Sequence, residues 1–112
     1  MIARIWHGYT TAENADAYEA MLTPELLPGL SRKPGFRGSY LMRRVIGDEV
    51  EFITMILWDS LDDVRALAGD DYETAVIPEE RKRVLSRWDA KAAHYDVTST
   101  KASPLSFPAE LP

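Results

Sequence analysis

The stretch Val50-Glu-Phe-Ile-Thr-Met-Ile-Leu-Trp58 decides the fold. It is short, apolar and rich in β-branched and aromatic residues, so it reads as a strand. Side chains alternate across a strand. Phe52, Ile53, Met55, Ile56, Leu57 and Trp58 therefore supply apolar groups to both of its faces. A strand that is apolar on both sides belongs to a sheet covered on both sides.

Working toward the N-terminus, Gly47-Asp48 is a two-residue hairpin signal with glycine first, as a type II′ turn requires. Phe36 to Ile46 then reads as the preceding strand. Lys33-Pro34-Gly35 stops a helical region expected from Ala12 to Ser31, in which Ala15, Tyr18, Leu22 and Leu26 recur at helical spacing. Thr10-Thr-Ala-Glu13 matches a capping box at its start. Thr23-Pro24-Glu25 looks like a second helix start, so a kinked or two-part helix is expected. Ile2 to Tyr9 is the first strand, with Ile2, Arg4, Trp6 and Gly8 on one face and Ala3, Ile5, His7 and Tyr9 on the other.

Toward the C-terminus, Ser60 caps a helix whose first turn holds Asp62 and Asp63 and which Gly69 ends. Asp70 to Val76 reads as a short helical turn, Pro78-Glu79-Glu80 as a further helix start, and Trp88 to Val97 as the fourth strand. The order β-α-β-β-α-β is the α+β, ferredoxin-like arrangement of one four-stranded antiparallel sheet with both main helices on one face. Helices on one face leave the other apolar face of the central strand uncovered. Pairing two copies sheet to sheet covers it, so a homodimer is expected. Residues 1–97 form the domain. Residues 98–112, with Pro104, Pro108 and Pro112, read as an extended tail whose Leu105 and Phe107 dock on the body or on a partner subunit.

The chain of 112 residues has the size of one domain and a net charge of −5, which argues against nucleic acid as a partner. The basic run Arg81-Lys82-Arg83 follows Glu79-Glu80 and reads as a solvated helix face. Absence of cysteine rules out disulfides, thiolate metal sites and a cysteine nucleophile, and it fits a cytoplasmic location. The N-terminus lacks the pattern of a signal peptide, and Phe52 to Trp58 is too short to span a membrane. His7 and His94 are not at local ligand spacing, so no metal site is expected.

Several short motifs occur in a specific order: Met1-Ile-Ala-Arg-Ile-Trp-His-Gly8, Asn14-Ala-Asp-Ala-Tyr-Glu19, Pro34-Gly-Phe-Arg-Gly38, Asp48-Glu-Val-Glu-Phe52, Trp58-Asp-Ser-Leu61 and His94-Tyr-Asp-Val97. Together they resemble the antibiotic-biosynthesis monooxygenase family over Met1 to Val97. The resemblance implies a dimeric α+β barrel with a pocket between helices and sheet. It also implies oxidation of an aromatic or polycyclic small molecule without metal or flavin: the substrate loses a proton, and its anion reduces oxygen directly. The haem-degrading branch of the family implies a histidine after the second helix. Val76-Ile77-Pro78 stand there, and no histidine lies between His7 and His94, which argues against haem degradation by that route.

On this reading His7 is the candidate base or hydrogen-bond donor. Trp6, Tyr9, Tyr72 and His94 are candidates for substrate binding. Each has a plain alternative: a buried histidine satisfied by a neighbour, or an aromatic ring packed in the core. The register of the first strand decides whether Trp6 or His7 faces the pocket, because a slip of one residue exchanges the faces. The rival to an oxygenase is a non-catalytic dimeric module that binds a small molecule or serves a structural or stress role.

Overall fold

The computed structural model describes residues 1–24, 26 and 29–101. Its strands are β1 (Ile2–Thr11), β2 (Phe36–Ile46), β3 (Glu49–Trp58), β4 (Arg87–Trp88) and β5 (Ala93–Asp96), and its helices are α1 (Ala15–Leu22), α2 (Leu61–Ala68) and α3 (Glu79–Lys82). All pairings are antiparallel. The sheet runs β2-β3-β1, and β4 and β5 both pair with the outer edge of β1. This is the α+β, ferredoxin-like architecture expected from the order of elements. The tail positions Leu105 and Phe107 lie outside the described residues.

The hairpin between β2 and β3 turns on Gly47 at φ 57, and no non-glycine residue has positive φ among the described residues, as a type II′ turn requires. A bulge between Phe36 and Gly38 places Arg37 out of register. Phe36, Ser39 and Leu41 thereby all face the helices. Ser60 caps α2 as expected, its hydroxyl accepting from the Asp63 N–H.

Three local expectations are corrected. No capping box forms at Thr10, which is fully buried within β1 opposite Val50 and donates to the Thr11 carbonyl. The turn into α1 is held instead by Thr11, whose carbonyl and hydroxyl both accept from the Asn14 N–H. Thr23 closes α1 rather than opening a second helix, because its hydroxyl reaches back 2.7 Å to the Glu19 carbonyl. A 3₁₀ turn follows at Leu30–Arg32.

The third correction shapes the molecule most. Trp88 to Val97 is not one strand, and of Asp70 to Val76 only residues 70–73 form a turn, closed by the Thr74 N–H bond to the Asp71 carbonyl. Residues 90–92 leave β1 and bond to the 73–75 segment: Ala75 N–H to the Ala90 carbonyl, Ala92 N–H to the Glu73 carbonyl, and a bridge between Thr74 and Lys91. This side pairing carries residues 75–78 across the helix-covered face of the sheet.

The core lies between the helices and the sheet, in two clusters. Ala15, Tyr18 and Leu22 of α1 pack on Val50, Phe52 and Leu85, with the Tyr18 and Phe52 rings edge to face at 4.9 Å. Val64 of α2 packs on Ile2, Leu30, Ile56 and Trp58. The even-numbered residues of β1 therefore face the helices. The odd-numbered ones, with Ile53, Met55 and Leu57 of β3, face away. Tyr40 and Met42 of β2 and Tyr95 of β5 add exposed apolar surface to that open face.

Candidate functional site

Between α1, the sheet and residues 75–78 lies a cavity of about 130 Å³. Its floor is Arg4 and Trp6 from β1 with Thr54 and Ile56 from β3. Tyr18, Leu22 and Leu26 form one wall, and Ala75, Val76, Ile77, Pro78 and Arg81 form the other. A second cavity of about 520 Å³, between the end of α1 and β2, shares Leu22 and Leu26 with the first. The charged groups on its wall, Glu19 and Arg43, are paired with each other at 2.8 Å, whereas the smaller cavity is lined by two arginines and by no carboxylate among the described residues.

Arg4 is the best-anchored group on that floor. Its Nη1 donates to the Tyr72 carbonyl at 2.6 Å and to His94 Nε2 at 2.8 Å. Arginine has no acceptor, so His94 Nε2 must be unprotonated and the imidazole neutral. Burial, followed by the adjacent Arg4 charge, lowers the His94 pKa, which agrees with that assignment. The His94 ring meets the Tyr72 ring edge to face at 4.9 Å. Its Nδ1 is buried without a hydrogen-bond partner among the described residues. Burial also lowers the Arg4 pKa, but a guanidinium stays charged under any working condition.

Trp6 is fixed by its indole N–H, which donates 2.7 Å to the carbonyl of Asp89, the last residue bonded to β1 before the chain leaves it. Gly8 makes room for the ring: a Cβ there would lie 3.1 Å from Trp6 and 3.0 Å from Leu85. Tyr18 is only 1% exposed, and burial pushes its hydroxyl pKa up to about 12 against the opposing Arg81 charge. It is therefore a donor throughout the physiological range. Arg81 turns inward from the basic run and donates 2.5 Å to the Leu26 carbonyl.

The structure thus brings Trp6 to the cavity, with Tyr72 and His94 one step behind it as the anchors of Arg4. It does not bring His7 or Tyr9 there. Both lie on the open face of the sheet around Glu51, a carboxylate only 5% exposed. Glu51 accepts from Arg44 Nε at 2.6 Å, pairs with His7 Nδ1 at 3.1 Å and accepts from the Tyr9 hydroxyl at 3.4 Å. The Arg44 bond, aided by His7, holds the Glu51 pKa below the usual carboxylate range despite burial. The Arg87 guanidinium covers the Tyr9 ring at 3.7 Å.

Arg4, Tyr18, Thr54 and Arg81 are the members of the site that sequence reasoning left unassigned. One signal pointed to Arg4: it alternates with Ile2 and Trp6 on the face that ends at Gly8. Tyr18 read as one more residue of an apolar stripe, and Arg81 as one of three solvated bases. Among the described residues no group of three or more histidine, aspartate or glutamate side chains is placed to hold a metal, and no helix is long and apolar enough to cross a membrane.

These features define a ferredoxin-like α+β protein with a small, arginine-bearing cavity between its helices and its sheet. No protein-family profile and no curated protein sequence matches the chain. Solved structures do share its fold. A candidate antibiotic biosynthesis monooxygenase from Bacillus cereus superposes with a TM-score of 0.67 at 15% identity, covering 94% of this chain and 98% of that one. The heme-degrader MhuD from Mycobacterium tuberculosis, with two hemes bound in its active site, gives 0.59 at 18% identity over 91% and 100%. A variant of SnoaB, a cofactor-independent oxygenase from Streptomyces nogalater, gives 0.59 at 16% identity over 88% and 95%.

Proposed function

We propose that the chain is a cofactor-independent monooxygenase acting on an aromatic small molecule in the cavity beneath α1. The observation that carries this reading is Arg4: a guanidinium on the floor of a cavity of mixed polar and apolar lining, anchored through Nη1, with Nε and Nη2 making no hydrogen bond among the described residues. The fold shared with SnoaB supports the reaction class.

A substrate such as an anthrone, too large for the 130 Å³ cavity alone, extends past Leu22 and Leu26 into the adjoining cavity; it carries an acidic CH₂ group whose loss of a proton leaves an electron-rich anion. A fixed cation stabilises that anion with no reorganisation at the moment of reaction. The anion passes an electron to O₂, and the resulting radical and superoxide combine as a peroxide. Loss of water from the peroxide leaves the quinone carbonyl, so that CH₂ and O₂ give C=O and H₂O. Trp6 supplies a flat face for the ring, and Ile56 and Ile77 supply apolar contact. No group on the cavity wall among the described residues is a base near neutral pH. The chain's contribution is therefore anion stabilisation and shape, and the proton leaves to solvent. That same lack of a base favours, as a second reading, a module that binds an aromatic ligand without turning it over.

The assembly proposed is a homodimer joined through the open face, where Ile5, Ile53, Met55, Leu57, Tyr40 and Met42 form an apolar surface around the polar Glu51 cluster. Sedimentation equilibrium at micromolar concentration is expected to give a dimer; a monomer would remove this part of the proposal.

Oxygen uptake tests the activity, using anthrones and hydroquinones with no added metal or flavin. Wild-type protein is expected to consume oxygen. Arg4→Gln is expected to lose about a hundredfold in rate, the usual consequence of removing one oxyanion donor. His7→Ala is expected to retain the rate. Loss in His7→Ala with retention in Arg4→Gln would move the site to the open face. No uptake with any substrate would leave the binding-module reading.

A further inference from the structure

We infer that His94 is a positioning residue: while neutral it holds the Arg4 guanidinium at the cavity floor, and on protonation it releases it. The effect on turnover rests on the proposed reading, because His94 acts through Arg4. The inference adds to that reading a residue outside the cavity wall and a dependence on pH.

The first ground is donor and acceptor chemistry. Arg4 Nη1 donates 2.6 Å to the Tyr72 carbonyl and 2.8 Å to His94 Nε2. A guanidinium only donates, so Nε2 supplies a lone pair. The bond at one ring nitrogen fixes the tautomer, which places the proton of the neutral imidazole on Nδ1. A further proton, on Nε2, would set two donors and two positive charges against each other at 2.8 Å. That arrangement breaks the bond and leaves Arg4 with the Tyr72 carbonyl alone.

The second ground is that the imidazole is held where it is. His94 lies opposite Arg4 in the pairing of β5 with β1. The Tyr72 ring meets it edge to face at 4.9 Å, and Arg65 of α2 packs on that ring at 5.4 Å. His94 Nδ1 is buried and makes no hydrogen bond among the described residues, so the ring is tied through Nε2. The charges that act on it are Arg4 of β1, which disfavours the imidazolium, and Glu73 of the preceding turn, which favours it. Burial and Arg4 together outweigh Glu73 and lower the His94 pKa. A histidine kept neutral by the fold takes up its proton first in the unfolded chain. Folding stability is therefore expected to fall as the pH drops below about 6.5, and His94→Gln is expected to lack that component.

Nuclear magnetic resonance on the isotope-labelled full chain tests the inference without a substrate. The chain has two histidines, and His7→Ala assigns their ring signals. Neutral His94 is expected to carry its proton on Nδ1. The Arg4 Nη1 and Nη2 signals are expected to be separate while Nη1 is held and to merge as His94 is protonated. In Arg4→Gln the His94 ring is expected to titrate at higher pH. The tautomer and the Arg4 signals need no altered His94 or Arg4, so the test stands even if a variant does not fold. Oxygen uptake from anthrone then reads the effect on turnover. Below the pH at which His94 is protonated, kcat is expected to fall by up to about a hundredfold relative to His94→Gln, whose amide oxygen accepts without titrating, with KM little changed. A proton on Nε2 of the neutral ring, Arg4 signals indifferent to His94 protonation, or a His94 titration unmoved in Arg4→Gln would overturn the inference. Arg4 released on protonation, with no oxygen uptake from any substrate, would keep it and remove the oxygenase reading. Oxygen uptake with the same pH profile in wild type and His94→Gln would keep the oxygenase reading and overturn the inference.

Discussion

Replacing Trp58 with alanine lowers the folding stability by about 3–5 kcal/mol, the range for deleting a large aromatic side chain from a packed core. Trp58 has no exposed surface. It closes β3 against Ile2, Leu30, Ile56 and Val64, with the Phe36 ring edge to face at 6.0 Å. These neighbours come from the first strand, the 3₁₀ turn, the central hairpin and α2, so a cavity there loosens four elements at once. Trp58→Phe separates packing from polarity. The indole N–H is buried without a partner among the described residues, and a buried donor without an acceptor is a cost that phenylalanine removes. The loss in Trp58→Phe is therefore expected to be well under half that in Trp58→Ala. Urea unfolding followed by far-ultraviolet circular dichroism reads both. Equal losses would mean that the indole N–H has found an acceptor.

Gly35→Ala is expected to destabilise by about 2–5 kcal/mol, combining a left-handed backbone at a non-glycine residue with overpacking. Gly35 has φ 82, and a Cβ built on it would lie 2.1 Å from the Asp63 carboxylate. That carboxylate cannot swing away freely, because it accepts from the Ser60 hydroxyl at 3.0 Å at the start of α2. The Gly35 carbonyl also accepts from the Asp59 N–H at 2.9 Å, tying the same corner to the end of β3. Gly47→Ala is the matched control. Its φ is 57 but nothing lies within 4 Å of a new Cβ, so it is expected to cost only the conformational part, about 1–2 kcal/mol. The same urea titration compares the two. A Gly35→Ala loss no larger than that of Gly47→Ala would show that the Asp63 contact gives way.

Elements whose determinants are local were legible in the sequence. The β2–β3 hairpin follows from alternating apolar residues around Gly47-Asp48, and the start and end of α2 follow from Ser60 and Gly69. The surplus of apolar residues in β3 correctly signalled a sheet with one face on helices and another apolar face beyond it. The site was harder to read because β1 carries aromatic and polar groups on both faces. Choosing between Trp6 and His7 depends on Tyr18 and Leu85, which meet β1 only after folding. The division of residues 87–97 into two strands was invisible for a similar reason. It rests on pairing with residues 73–75 and on the Trp6 indole bond to Asp89, 83 positions away. Arg81 was misread because charge patterning describes a helix face and takes no account of the Leu26 carbonyl beside it.

The central claim is that ligand enters between α1 and the sheet, on the side of Arg4 and Trp6. The most direct test is a nuclear magnetic resonance titration of the isotope-labelled protein with anthraquinone, the stable oxidised counterpart of anthrone. The largest shifts are expected on the Trp6 indole N–H and on the methyl groups of Thr54, Ile56 and Ile77. Shifts concentrated instead on Ile5, Ile53 and Met55, around His7 and Glu51, would contradict it and place the site on the opposite face of the sheet.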